Sequence, residues 1–163
     1  MSSPKIQGLT ADVEVLTQVE GWKSIASVGE TEKIATKPFG APDGSIEYVV
    51  PSQWVQTVIT EQSPLSLATI RHDRVELRCS LDTRLVAKLT KTAPYALMEA
   101  RQLNGIDFYM KNYLGEVVIK PINFTVSFNS FIGTIYIPVT VNTNFMVRKN
   151  GKISWVCCDA TAV

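Results

Sequence analysis

Phe124-Thr-Val-Ser-Phe128 and Thr134-Ile-Tyr-Ile-Pro-Val-Thr-Val141 lie inside a run, Pro121 to Val147, that contains no charged side chain. On length alone such a run could span a bilayer. It carries ten Asn, Ser or Thr residues, together with Pro121, Pro138 and Gly133. Its apolar residues also recur every second position: Phe124, Val126 and Phe128, then Ile135, Ile137, Val139 and Val141. That period belongs to strands, so no transmembrane helix is expected. A strand face of Asn, Ser, Thr and Tyr136 lacks the charges that usually block edge-to-edge pairing. Either these strands are buried on both sides, or they meet a second copy of the chain. Interface cores are poor in charge and rich in aromatics, which makes Phe124, Phe128, Phe131 and Tyr136 the candidate self-association residues. Pro138 suggests an edge strand, because proline cannot donate to a ladder.

Working outward, Asn150-Gly151 joins two further strands, 144–149 and 152–158, and is a strong hairpin signal. The cleanest alternation runs from Arg74 to Leu81: Val75, Leu77, Cys79 and Leu81 inward, Arg74, Glu76, Arg78 and Ser80 outward. Strands are also expected over 13–19, 25–28, 33–35, 45–50, 84–89, 108–113 and 117–119, with a turn at Asp43-Gly44. Two short helices are expected. One follows Pro51, with the spaced pairs Trp54/Val58 and Val55/Ile59 on one face. The other runs from Pro94 to Leu103 and stops at Asn104-Gly105. The expected class is α+β: a β-rich single domain over 13–163, with an antiparallel sheet and two short helices, preceded by a flexible segment 1–12.

A chain of 163 residues at a formal net charge of +1 is the length of one domain and is neither a basic tail nor an acidic solvating chain. The charge is unevenly placed. Residues 1–48 hold four Lys against seven acids, and residues 71–152 hold twelve Lys or Arg against six. Arg71, Arg74, Arg78, Arg84, Lys88 and Lys91 form the densest basic segment, a candidate contact for an anionic membrane or a nucleocapsid. The segment lacks interleaved aromatics, which argues against base stacking. The three cysteines, Cys79, Cys157 and Cys158, have no metal-ligand spacing, and the single His72 sits beside Asp73 with no nucleophile motif around it. The nine glycines are scattered, with no phosphate loop. No catalytic residue, metal ligand or cofactor is therefore singled out. With no apolar leader, the chain is expected to be reduced, intracellular and unsecreted.

The segment Leu16-Thr-Gln-Val-Glu-Gly21 leads into short strands, then a turn, the strand 45–50, the basic strand 74–81, the element 94–103 and the late strand pair. That order, over residues 13–158, resembles the matrix proteins of rhabdoviruses, in particular the plant-infecting type. The resemblance implies a non-enzymatic viral structural protein that self-associates and links a nucleocapsid to the inner face of a membrane. Its implied partners are other copies of itself, the viral nucleocapsid, an anionic membrane surface and an envelope glycoprotein tail. Its implied locations are host cytoplasm and virion. Two other readings suit the same pattern: a small β-sandwich viral coat or coat-derived movement protein, and a small-molecule-binding or enzymatic α+β barrel.

Overall fold

A computed structural model describes residues 5–38, 42, 45–112 and 115–157. The strands are β1 (Leu9–Thr10), β2 (Glu14–Thr17), β3 (Gly21–Ser24), β4 (Ile34–Thr36), β5 (Glu47–Val49), β6 (Gln53–Ile59), β7 (Leu65–Arg71) and β8 (Glu76–Ser80). They continue with β9 (Arg84–Lys88), β10 (Ala96–Glu99), β11 (Phe108–Asn112), β12 (Gly115–Ile119), β13 (Phe124–Phe131), β14 (Gly133–Val139), β15 (Asn144–Lys149) and β16 (Lys152–Cys157). One sheet has the order β13-β7-β8-β1-β14-β6. The other runs β10-β9-β11-β16-β15-β2-β4-β5, with β12 on β11 and β3 on β2. Every recorded pairing is antiparallel.

The expected α+β class is corrected. Among the described residues there is no α-helix, only the 3-10 turns Ile25–Ser27, Ala100–Leu103 and Pro121–Asn123. The segment after Pro51 is strand β6, in register with β14 from Gln53↔Val139 to Ile59↔Gly133. Its β-branched residues Val55, Thr57, Val58 and Ile59 fit a pleated surface better than a helix. The i,i+4 spacing of Trp54 and Val58 also fits a strand, where both residues fall on one face. The segment 94–103 divides: Ala96 to Glu99 pair with Ala87 to Arg84, and only Ala100–Leu103 winds into a turn. Ladder hydrogen bonds to β9 override the helix propensity of Ala, Leu and Met. Residues 25–27, expected as strand, form a turn capped by the Ser24 hydroxyl, which accepts from the Ala26 N–H. Asp43 and Gly44 lie outside the described residues.

The charge-free run serves two different places. β14 is internal to its sheet and buries Ile135, Ile137, Pro138 and Val139. β13 is an edge strand whose Phe128 is 69% exposed. Pro138 is tolerated inside the sheet because β1 reaches only Ile135 and Tyr136, leaving no partner at Pro138 on that side. Phe124 is buried and meets Phe108 of the other sheet edge-to-face, with centroids 5.9 Å apart, so this aromatic pair ties the two sheets.

β8 alternates as expected at Leu77 and Cys79, but Glu76 and Ser80, assigned outward, are also buried. Glu76 lies within reach of Lys149 at 3.9 Å and Lys152 at 3.3 Å, and accepts from the Asn150 side chain, which offsets the cost of removing its charge from water. The β15–β16 hairpin has positive φ at Asn150 (52°) and Gly151 (78°), as a two-residue loop of the primed type requires. A Cβ on Gly151 would meet nothing within 4 Å, so Gly151→Ala is expected to cost only the left-handed backbone term, about 1 kcal/mol. Urea denaturation of the variant measures it.

Candidate functional site

The first strand is the structural oddity. β1 is inserted between β8 and β14, with Leu9 opposite Cys79 on one side and Tyr136 on the other. Gln7, Gly8, Leu9 and Thr10 are all buried. A polypeptide entering the middle of a sheet brings peptide groups that must be satisfied there, and β8 with its following turn supplies the partners. The Gly8 N–H donates to Thr83 Oγ1 at 2.9 Å, and the Ser80 N–H donates to the Gly8 carbonyl at 3.1 Å. Ser80 Oγ donates to the Ile6 carbonyl at 2.6 Å, and the Ile6 N–H donates to Asp82 Oδ2 at 2.9 Å. Ser80 Oγ and Thr83 Oγ1 are 2.8 Å apart, and Thr83 Oγ1 also lies 3.1 Å from the Gly8 carbonyl.

The local fold explains why these groups converge. β8 ends at Ser80 in a turn closed by the Thr83 N–H to the Ser80 carbonyl at 3.1 Å, which brings two hydroxyls three residues apart onto one side. Ala100 and Arg101 seal the turn from behind, their N–H groups donating to the Thr83 and Leu81 carbonyls at 2.9 and 3.0 Å. Arg101 also binds Asp82, fixing the carboxylate that holds Ile6. Ser80 and Thr83 are both 0% exposed. A hydroxyl has one proton and two lone pairs. Ser80 directs its proton to Ile6, and Thr83 directs its own to Ser80 or to the Gly8 carbonyl while accepting from the Gly8 N–H. The result is a short, water-excluded hydroxyl relay along the Ile6–Gly8 backbone.

Gly8 itself is required by closeness. Its φ is 152°, and a Cβ there would lie 3.1 Å from both the N and the O of Tyr136 and 3.2 Å from Ile135 Cβ. Cys79, next to Ser80, is a poor nucleophile: burial pushes its thiol up to about 12, against a smaller opposing effect from a hydrogen bond with Thr83. Cys157 is buried as well, and Cys158 lies outside the described residues. Among the described residues no group of three or more His, Cys, Asp or Glu could hold a metal ion.

The residues singled out from sequence are not gathered here. Arg71 and Arg74 are exposed on the β7–β8 turn. Arg78 faces Asp12 at 3.7 Å. Arg84 and Lys88 belong to β9 in the other sheet, where the Lys88 ammonium is buried at 2.6 Å from Glu116 and 4.7 Å from the centre of the Tyr95 ring. Lys91 is exposed in the loop beyond. The basic segment thus spreads over two sheets. Of the aromatic set, Phe124 is core, Tyr136 packs partly buried against the core, and Phe128 and Phe131 lie on edge strand β13. Sequence reasoning missed Gly8, Ser80 and Thr83. Ser80 looks like any outward serine of an alternating strand, and only the distant segment 6–8 reveals its task.

No family model and no curated protein matches the sequence. Solved structures do match, among them inteins and an intein-like domain. The AceL NrdHF class 3 split intein superposes with a TM-score of 0.72 at 12% identity, covering 93% of this chain and 98% of that one. A bacterial intein-like domain from Clostridium thermocellum gives 0.68 at 12% identity, with 93% and 99% covered. The KlbA intein precursor from Methanococcus jannaschii gives 0.70 at 15% identity, with 99% and 96% covered. The chain therefore has the intein fold.

This finding overturns the resemblance to rhabdovirus matrix proteins and, with it, the non-enzymatic structural role linking nucleocapsid to membrane. The coat and movement-protein readings fall with it. The virion and membrane-associated roles rested on the same resemblance, and so did the expectation of no enzymatic activity, which loses its basis with it. The physical reason is topological. The matrix resemblance rested on element order alone, and a β1 threaded between β8 and β14 cannot be read from order. No helix among the described residues is long and apolar enough to cross a membrane.

Proposed function

We propose that the chain is a self-processing domain of the intein type, acting on its own backbone at the peptide that enters the fold at Gly8. The observation that carries this reading is the buried Ser80–Thr83 hydroxyl relay wrapped around the Ile6–Gly8 backbone within that fold. One matched structure is described as a splice-inactive intein variant in which a cysteine and an asparagine are replaced by alanine. In this chain the Cys79 thiol is held protonated by burial, whereas the Ser80 and Thr83 hydroxyls are hydrogen-bonded to the Ile6–Gly8 backbone, so hydroxyl chemistry takes the leading part. On this reading Ser80 Oγ, which in the resting fold donates to the neighbouring Ile6 carbonyl, shifts by one peptide to attack the Gln7 carbonyl carbon, and the bond to the Gly8 nitrogen breaks. The Ser80 proton turns from the Ile6 carbonyl to Thr83 Oγ1, 2.8 Å away, as the Thr83 proton moves to the departing amine; the ester that remains is hydrolysed to the Gln7 carboxylate and the Ser80 hydroxyl once the departing strand opens the site to water. The buried site favours this because a fixed relay needs little reorganisation. The substrate is the chain's own flanking polypeptide, held in cis, which removes the entropic cost of a bimolecular encounter.

The test places the full chain between two reporter proteins. Release of the first reporter with residues 1–7 attached, identified by intact mass, is the expected result. Ser80→Ala is expected to abolish release while retaining the wild-type circular dichroism spectrum, and Ser80→Cys to retain it. An intact precursor for the wild-type chain under all conditions sinks the proposal and leaves the relay as a purely structural clamp.

A further inference from the structure

A second concave region lies away from the hydroxyl relay, at the end of the β7–β8 hairpin. It is an open cleft of about 600 Å³ lined by Arg71 to Arg74 on one segment, by Val117, Val118, Lys120 and Asn123 on another, and by Lys152. We propose that this cleft binds a phosphate-bearing anion, either a free polyphosphate or the phosphodiester backbone of a nucleic acid.

Charge carries the first part of the argument. Arg71, Arg74, Lys120 and Lys152 line the cleft against two acids, Asp73 and Glu116. Glu116 is already engaged by Lys88 at 2.6 Å and by the Tyr95 hydroxyl at 2.9 Å, and these contacts, Lys88 foremost, hold its carboxyl below the usual range. Arg71 and Arg74 make no ion pair among the described residues, whereas Lys120 leans on exposed Asp107 at 3.6 Å and Lys152 on Glu76 at 3.3 Å. A concave surface with an excess of one sign concentrates the field on an incoming counter-ion. Guanidinium groups also match phosphate oxygens in geometry as well as in charge.

Preorganisation carries the second part. The Arg74 N–H donates to His72 Nδ1 at 3.0 Å, so the neutral imidazole keeps its proton on Nε2 and presents a donor. The His72 N–H donates to the Val75 carbonyl at 2.8 Å, closing the turn. Asn123 rivets the two walls: its Nδ2 donates to the Arg71 carbonyl at 3.1 Å and its Oδ1 accepts from the Lys120 N–H at 3.1 Å. The segment carrying Arg71 and Arg74 and the one carrying Lys120 are therefore already fixed relative to one another. Among the described residues no Phe, Tyr or Trp lines the cleft, which favours contact to phosphate over stacking on a nucleobase face.

The inference does not depend on the self-processing reading. To test it, the full chain is titrated with inorganic pyrophosphate by calorimetry and with a fluorescent DNA duplex by anisotropy, at about 50 and 200 mM salt. Heat with pyrophosphate that the duplex displaces assigns a free polyphosphate site also open to nucleic acid. Binding of the duplex alone assigns the phosphodiester backbone. Either supports the proposal if the paired substitutions Arg71→Glu and Arg74→Glu weaken binding by about tenfold or more and flatten the salt dependence. Lys91→Glu, outside the cleft, must leave binding unchanged, and melting curves confirm that each variant folds. Failure to bind either probe, or equal losses from the Lys91 control, overturns it.

Discussion

Gly8→Val is expected to lower stability by about 3–5 kcal/mol, a large part of what a single domain has. The new Cβ would stand 3.1 Å from the backbone N and O of Tyr136, and these atoms belong to an internal strand held on its other side by β6. Backbone in mid-sheet cannot give way as the tip of a flexible side chain can. The φ of 152° adds its own strain for any residue with a Cβ, and the valine methyls add bulk. Gly8→Ala should show the same effect at reduced size. Urea denaturation of both variants measures it, and a valine variant within about 1 kcal/mol of the wild type would show that residues 6–10 do not pass so closely through the centre. The contrast with Gly151, where a Cβ meets nothing, separates the steric part from the conformational part.

Thr83→Val is the second large effect, expected at about 2–3 kcal/mol. Valine keeps the shape of threonine and removes Oγ1, the acceptor of the Gly8 N–H and the partner of Ser80 Oγ. The loss is dominated by a buried donor left without an acceptor, which costs more than the net worth of one hydrogen bond. Thr83→Ser retains the oxygen and should cost under about 1 kcal/mol. Hydrogen exchange at the Gly8 amide gives a site-specific readout: protected in the wild type and in the serine variant, markedly faster in the valine variant. Equal protection in all three would show that Thr83 does not hold this amide.

These two residues also mark where sequence reading stopped. Strands 76–80, 144–149 and 152–157 are legible because their signals are local: alternation at Leu77 and Cys79, and Asn150-Gly151 between two apolar runs. The helix expected at Pro51 failed because Val55, Thr57, Val58 and Ile59 suit a strand paired along its whole length, and that partner, β14, lies some eighty residues away in sequence. The helix expected over 94–103 failed because β9 captures Ala96–Glu99. The relay was invisible for a related reason: its donors and acceptors are residues 6 and 8 on one side and 80 and 83 on the other. The basic run 71–91 looked like one surface because its members are neighbours in sequence, yet the turn at 81–83 carries β8 and β9 into different sheets. Arg71 and Arg74 find their companions Lys120 and Lys152 only in three dimensions.

The insertion of β1 also sets the order of events as the chain is made. Leu9 needs Cys79 on one flank and Tyr136 on the other, so the first strand synthesised cannot be finished until the polypeptide has grown past residue 136. The search for that closure spans most of the sequence, and its entropy is spent before the contacts return anything. Antiparallel pairing at such separation gives a high contact order, the regime of folding in milliseconds to seconds. During that wait the two strands destined to flank β1 can reach each other, and a β8–β14 pairing closed too early would shut the opening segment out of the molecule. In a domain arranged in this way, the timing of folding decides whether residues 6–10 are drawn into the centre or left outside.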